Sequence, residues 1–194
     1  MSNSEFTEYH HYLLDLARRA LVCCTETQSH HTLNELLDKN EVQPGPLMVN
    51  RACFITLEKN DQLRGCIGSL KAHAPLLEDI VHNTCAAALD DHRFKAVRRN
   101  ELDQISIHIS ILSNPEPMTF TSEQNLLEQV TPGEDGLVLS EGIRSATFLP
   151  SVWEQLPDKN DFINHLKLKA GLSAHYWSPT IECKRYHCEI IHPK

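Results

Sequence analysis

No stretch of this sequence approaches the ~18 consecutive apolar residues that would cross a bilayer as a helix. The opening Met1-Ser2-Asn3-Ser4-Glu5 also lacks the basic-then-apolar pattern of a secretory leader. A cytosolic protein without a membrane partner is the expectation. Basic charge is scarce: 18 Lys and Arg against 26 Asp and Glu give a formal net charge of −8. That balance supplies no global field to draw in a phosphate backbone, so nucleic acid is not an expected partner. The seven cysteines are odd in number, scattered and never spaced Cys-x-x-Cys, which fits reduced thiols better than a disulfide framework. Most are expected to be small core residues.

Other absences narrow the chemistry. There is no His-Glu-x-x-His or paired-cysteine zinc spacing, no Gly-x-Ser-x-Gly elbow, no P-loop and no dinucleotide fingerprint. Twelve histidines are present, but the doublets His10-His11 and His30-His31 fall in polar segments, and His187, Cys188 and His192 lack a matching carboxylate motif. No metal and no cofactor is expected.

What the chain does have is periodicity. Leu13, Leu16, Ala17, Ala20, Leu21 and Cys24 recur at helical spacing behind a possible capping box of Ser2 and Glu5. A shorter helix follows near residues 32–37, then a breaker-rich loop, Val42 to Pro46. Cys53, Ile55 and Leu57 alternate with Phe54 and Thr56, and a turn at 59–62 leads into a second extended run to Leu70. Pro75 to Leu89 reads as a helix. Ile105, Ile107, Ile109 and Ile111 alternate with polar residues as the clearest strand, half buried as in an antiparallel sheet. A short helix near 122–130, a hairpin at 137–148, a helix starting at Ser151, another from Asp158 to Ala170 capped by Gly171, and one or two strands between 180 and 191 complete the chain. Hairpins and helices interleave without a βαβ rhythm, so the expected fold class is α+β with mostly antiparallel strands. The length of 194 residues suits one domain or two closely packed subdomains.

The segment Leu63-Arg64-Gly65-Cys66-Ile67-Gly68 is the most informative, because it sets a thiol between two glycines, with a guanidinium two residues before it, in an apolar run. On a strand, Arg64, Cys66 and Gly68 share one face and Leu63, Gly65 and Ile67 the other. A fixed cation beside a thiol favours the nucleophilic thiolate, and glycines in a strand let a ligand or another backbone approach. The same hairpin also has a plain structural reading. If Asn60-Asp61 is a two-residue turn, Cys66 lies opposite Ile55 and Arg64 opposite Leu57, which makes the thiol a core residue; a one-residue change in loop length reverses the pairing. Asp90-Asp91-His92-Arg93 offers carboxylates, an imidazole and a second guanidinium for acid–base work or ligand orientation, or else forms a salt-bridged helix end. An ion pair between Asp91 and Arg64 would serve either reading.

These residues, taken in order, resemble the AMMECR1 domain. The hexapeptide matches its signature, followed by Ala87 and Ala88 before Asp91-His92-Arg93-Phe94, Glu101-Leu102, Gly133-x-x-Gly136-Leu137, Leu149-Pro150, Lys169-Ala170-Gly171-Leu172 and Trp177. His92 stands where the family typically has proline. The resemblance covers the chain from about Leu13 onward and implies one domain of two intertwined sheet-and-helix subdomains, with the hexapeptide near a cleft between them. It implies no established activity. It does imply a shared pathway with a Memo-like protein and a radical S-adenosylmethionine protein, although this chain lacks the cluster-binding Cys-x-x-x-Cys-x-x-Cys of the latter. Two functions follow. In one, a binding component holds an anionic small molecule or a protein partner through Arg64, Gly65, Gly68 and Arg93. In the other, a thiol-dependent enzyme uses Cys66 as nucleophile or redox thiol, with Arg64 holding an anion and Asp91 or His92 handling protons.

Overall fold

Helical and extended periodicity alternate along the chain, and in the computed structural model, which describes residues 6–37 and 45–193, each pattern becomes an element that buries its apolar side. The possible capping box at Ser2 and Glu5 lies outside the described residues, as does most of the loop from Val42. Contacts divide the chain into two compact units: Ser113–Cys188 forms the second and the remaining described residues the first.

The first unit begins with α1 (His10–Thr27), whose buried face is the stripe Leu13, Leu16, Ala17, Ala20, Leu21 and Cys24. A short α2 (Leu33–Leu36) starts on a capping box in which Thr32 and Glu35 satisfy each other's backbone amides. Strands β1 (Cys53–Lys59) and β2 (Gln62–Gly68) form a hairpin, α3 (Leu76–Leu89) follows, and β3 (Ile105–Leu112) pairs with the other side of β1. The final strand β8 (Cys188–Ile191) joins this sheet beyond β3, giving the order β2-β1-β3-β8. Helix α3 is buried nearly all round because it packs on β1 and β2 on one side and on α1 on the other. Its Asp79, 1% exposed, accepts the Cys53 amide at 2.9 Å and the Ser69 hydroxyl at 2.8 Å, so one buried carboxylate clamps both ends of the hairpin.

The second unit carries β4 (Glu116–Pro117), α4 (Glu123–Gln129), β5 (Gly136–Glu141), β6 (Arg144–Phe148), α5 (Lys159–Lys169) and β7 (Glu182–Tyr186). Its sheet order is β4-β7-β5-β6, with antiparallel pairs throughout. Phe162 of α5 stacks on Trp153 with ring centroids 3.7 Å apart. The helix expected from Ser151 is a single 3-10 turn, Pro150–Glu154. The run Lys169-Ala170-Gly171-Leu172 is a helix stop. Gly171 takes a left-handed φ of 78°, its amide bonds to Leu168, and the Leu172 amide reaches back to Lys167, a pattern that satisfies the last carbonyls of α5 while burying Leu172. The α+β class with antiparallel sheets is therefore the observed architecture. Among the described residues no helix is long and apolar enough to cross a membrane.

Candidate functional site

The hairpin turn is Asn60-Asp61, both residues in the left-handed region at φ 52° and 59°, a geometry that Asn and Asp tolerate and that matches the twist of paired strands. The pairing expected beyond that turn is nevertheless displaced. Register slips between Leu57 and Glu58, so Leu63 opposes Glu58, Gly65 opposes Leu57, and Arg64 is the extra residue of a bulge. Cys66 consequently faces Thr56, not Ile55, and Arg64 does not face Leu57. Ile55 and Leu57 point into the helical core with Gly65 and Ile67, whereas Cys66 and Thr56 lie on the opposite face of the sheet. The Thr56 hydroxyl donates to Cys66 Sγ at 3.3 Å, and Cys66 is half-buried.

Gly65 is required by close packing. A Cβ there would lie 2.2 Å from the Ala87 carbonyl oxygen, so the backbone that approaches this glycine is that of α3. A Cβ on Gly68 would lie 2.3 Å from the Phe54 ring. Both glycines expected to admit a ligand are thus occupied on their Cβ side by the protein itself.

The charged residues also pair differently from expectation. The anticipated Asp91–Arg64 ion pair does not form. Arg64, 14% exposed at its side chain, meets Glu101 through two parallel bonds, Nε to Oε1 at 3.0 Å and Nη2 to Oε2 at 3.1 Å, and Lys59 adds a third at 3.1 Å. The Arg64 guanidinium holds the Glu101 carboxyl down at about 2 against an ordinary 4.5, helped by the Arg98 amide and by Lys59. Asp91, 3% exposed at its side chain, bonds to Arg93 Nε at 2.9 Å and Nη2 at 2.6 Å and accepts the Cys66 amide at 2.8 Å. Arg93 Nη2 in turn donates to the Cys66 carbonyl at 3.2 Å. The Arg93 side chain foremost, and the Cys66 amide after it, hold the Asp91 carboxyl far below the usual carboxylate range.

Since β2 is an edge strand, the outward amide and carbonyl of Cys66 would otherwise lack a strand to pair with; Asp91 and Arg93 take its place. The same geometry makes Thr56 and Cys66 a narrow pair whose side chains meet. Phe94 lies under two guanidiniums, with Arg93 at 5.5 Å and Arg64 at 6.0 Å from its centroid.

His92 is exposed, at the second position of the turn closed by the Phe94 amide on the Asp91 carbonyl. Proline is favoured at that position of a type I turn, so histidine leaves the loop shape intact. Of the sequence-derived site residues, the structure gathers Cys66, Asp91 and Arg93 on the outer edge of β2 and seats Arg64 beside them on Glu101. His92 is exposed, and its side chain makes no hydrogen bond or ion pair among the described residues.

Residues to which the sequence assigned no site role also stand on the sheet face turned away from α1 and α3. Thr56 pairs with Cys66 on one side and with His108 on the other, and His108 approaches Glu58 and His192. Only the Ser-His-Ser alternation of β3 could have signalled them. Two cavities lie elsewhere: one of about 510 Å³ beside Phe120 and Trp177 in the second unit, and one of about 730 Å³ beside His10, Arg18 and His192 in the first. Neither is lined by the hexapeptide. Among the described residues no group of three or more His, Cys, Asp or Glu side chains could hold a metal ion.

Comparison with known proteins finds chains of similar sequence and fold. Residues 14–191 match the AMMECR1 family model. A protein of Methanopyrus kandleri is 32% identical over 185 residues, covering 93% of this chain and 86% of its own length. A protein of Saccharolobus islandicus is 31% identical over 186 residues, covering 91% of this chain and 78% of its own. The crystal structure of an uncharacterised protein from Pyrococcus horikoshii superposes with a TM-score of 0.77 at 28% identity, over 94% of this chain and 90% of that one.

Two outcomes follow from the edge clamp. The Glu101 contribution to stability is complete above pH 4.5 and is lost as the pH falls toward about 2, because its carboxyl is ionised more readily folded than unfolded. Acid titration of unfolding should therefore show a Glu101→Gln variant losing less stability than the parent across that window; equal losses would contradict the pairing. Substituting His92→Pro should leave stability unchanged or raise it by up to ~1 kcal/mol in urea unfolding, since proline restricts the unfolded chain at a compatible turn position.

Proposed function

The chain belongs to the AMMECR1 family, and from that premise we propose that it works through the Cys66 thiol, which forms a covalent bond with an electrophilic or oxidised partner. One observation carries the reading: Cys66 stands half-buried on the sheet face turned away from α1 and α3, its sulfur on the Thr56 hydroxyl, while the neighbouring carboxylates are engaged in ion pairs. Arg64 is committed to Glu101, and the Asp91 carboxylate to Arg93 and the Cys66 backbone. The clamp therefore serves to present the thiol at a fixed height and angle. Other thiols are less suited. Burial pushes Cys183 and Cys188 up to about 12 and Cys53 well above its ordinary value, and Cys24 and Cys85 are fully buried.

A binding role is the second reading. It is favoured by Arg64 Nη1, which is buried with no hydrogen-bond partner among the described residues, and by Arg93, whose side chain is 47% exposed. An anionic small molecule would satisfy both. So would an acidic segment of a protein partner, such as the Memo-like or radical S-adenosylmethionine protein implied by the family resemblance.

Brief treatment of the folded chain with iodoacetamide, followed by peptide mapping, separates the two. Cys66 should be labelled ahead of the other partly exposed thiols, Cys23 and Cys188, and Thr56→Val should slow its labelling severalfold, as the loss of a hydrogen bond of about 1 kcal/mol implies. A Cys66 that stays unlabelled after Cys23 and Cys188 have reacted contradicts the thiol reading.

A further inference from the structure

We infer that the cavity of about 730 Å³ in the first unit is a binding site for a small organic anion, whose carboxylate or phosphate oxygens the Arg18 guanidinium holds. This goes beyond the thiol reading and is independent of it, since Cys66 does not line the cavity.

His11, Leu14 and Arg18 follow one another at helical spacing, so they form a single stripe of α1 beside its buried face, and all three line the cavity. Arg18 reaches from this stripe to the start of β3. Its Nη1 donates to the Leu102 carbonyl at 3.1 Å and its Nη2 to the Ile105 carbonyl at 2.6 Å. These bonds fix the guanidinium in place without neutralising it, because a carbonyl dipole orients a cation but carries no opposing charge. Among the described residues no carboxylate pairs with Arg18. Burial lowers its pKa from the ordinary value, and Asp103 opposes that shift only through the longer-range field. Two of its five N–H donors are spent on the carbonyls, which leaves three for a ligand. A half-buried cation in this state is stabilised by an anion that meets it.

The rest of the lining suits such a ligand. His11 makes no hydrogen bond or ion pair among the described residues, and His192 bonds only through Nδ1, to His108 at 2.7 Å, so both imidazoles have donors to offer. The nearby carboxylates are engaged with other partners. Asp15 pairs with Arg19 at 3.1 Å, and Glu189 takes His10 Nε2 at 2.6 Å and the Phe6 amide at 3.3 Å. Glu8 is exposed, where solvent and salt screen its charge. Leu14 and Pro193 supply apolar wall for the body of the ligand, and the volume matches a molecule of metabolite size.

Isothermal titration calorimetry of the full chain at constant ionic strength tests the assignment with benzoate, phenyl phosphate and, as an uncharged control, benzyl alcohol. At least one of the two anions should bind at a single site with a Kd of about 1 mM or tighter, and the tighter of them tells carboxylate from phosphate recognition. Benzyl alcohol should bind at least about tenfold more weakly, and Arg18→Met should weaken the anion by at least about tenfold, the scale of a lost charge-assisted hydrogen bond. A measurement on the parent chain serves should Arg18→Met fail to fold: the bound anion should shield Arg18 from the arginine reagent phenylglyoxal, read by peptide mapping. The inference is overturned by any of four results: no binding of either anion at about 10 mM, equal binding of the alcohol, full affinity in folded Arg18→Met, or Arg18 labelling that is absent or indifferent to the anion. Iodoacetamide labelling of Cys66 is a separate readout, so the thiol reading stands or falls apart from these results.

Discussion

Asp91 shares one nearly buried carboxylate between the Cys66 amide and the Arg93 guanidinium, and the arrangement around the hexapeptide depends on that division. A carboxylate so placed is costly unless every oxygen is satisfied, and here the partners are a strand edge and a cation on the same loop. The bond to Cys66 fixes β2 against the segment after α3, and the Arg93 bond to the Cys66 carbonyl completes a side-chain substitute for a missing strand. Gly65 allows α3 to lie against β2 closely enough for this reach, since any side chain there would meet the Ala87 carbonyl. The bulge at Arg64 then directs that guanidinium to Glu101 and turns Cys66 away from the core.

On the proposed thiol reading, charge and glycine in the motif act as scaffold, and the thiol is the group they present. That inverts the weighting a sequence reader gives to the same six residues, where arginine and glycine look like ligand contacts and cysteine like core. A guanidinium held in two parallel bonds to a carboxylate with a strongly lowered pKa is a poor free anion receptor. On the proposed reading, the half-buried sulfur with its hydroxyl donor is the place for chemistry.

Local patterns were legible in the sequence. The α1 stripe, the alternation of β3, the Asn60-Asp61 turn and the Gly171 helix stop each depend on residues within a few positions of one another, and the structure has all four. The α+β class followed from them. What was not legible depends on distant pairing. The bulge at Arg64 is one residue of slip that only the packing of α3 and the reach of Glu101, 37 positions away, selects. His108 and Glu58 carry no motif; strand pairing about 50 residues apart in sequence brings them together. The expected helix at Ser151 shrank to one 3-10 turn ending before Gln155.

The division between scaffold and reactive group is tested most directly by comparing the melting temperatures of Arg64→Met and Cys66→Ser. The scaffold account predicts that Arg64→Met, which strips Glu101 of its main partner, melts roughly 5 °C or more below the parent, while Cys66→Ser stays within about 2 °C of it. Cys66→Ser melting as low as Arg64→Met, or Arg64→Met melting with the parent, would contradict it.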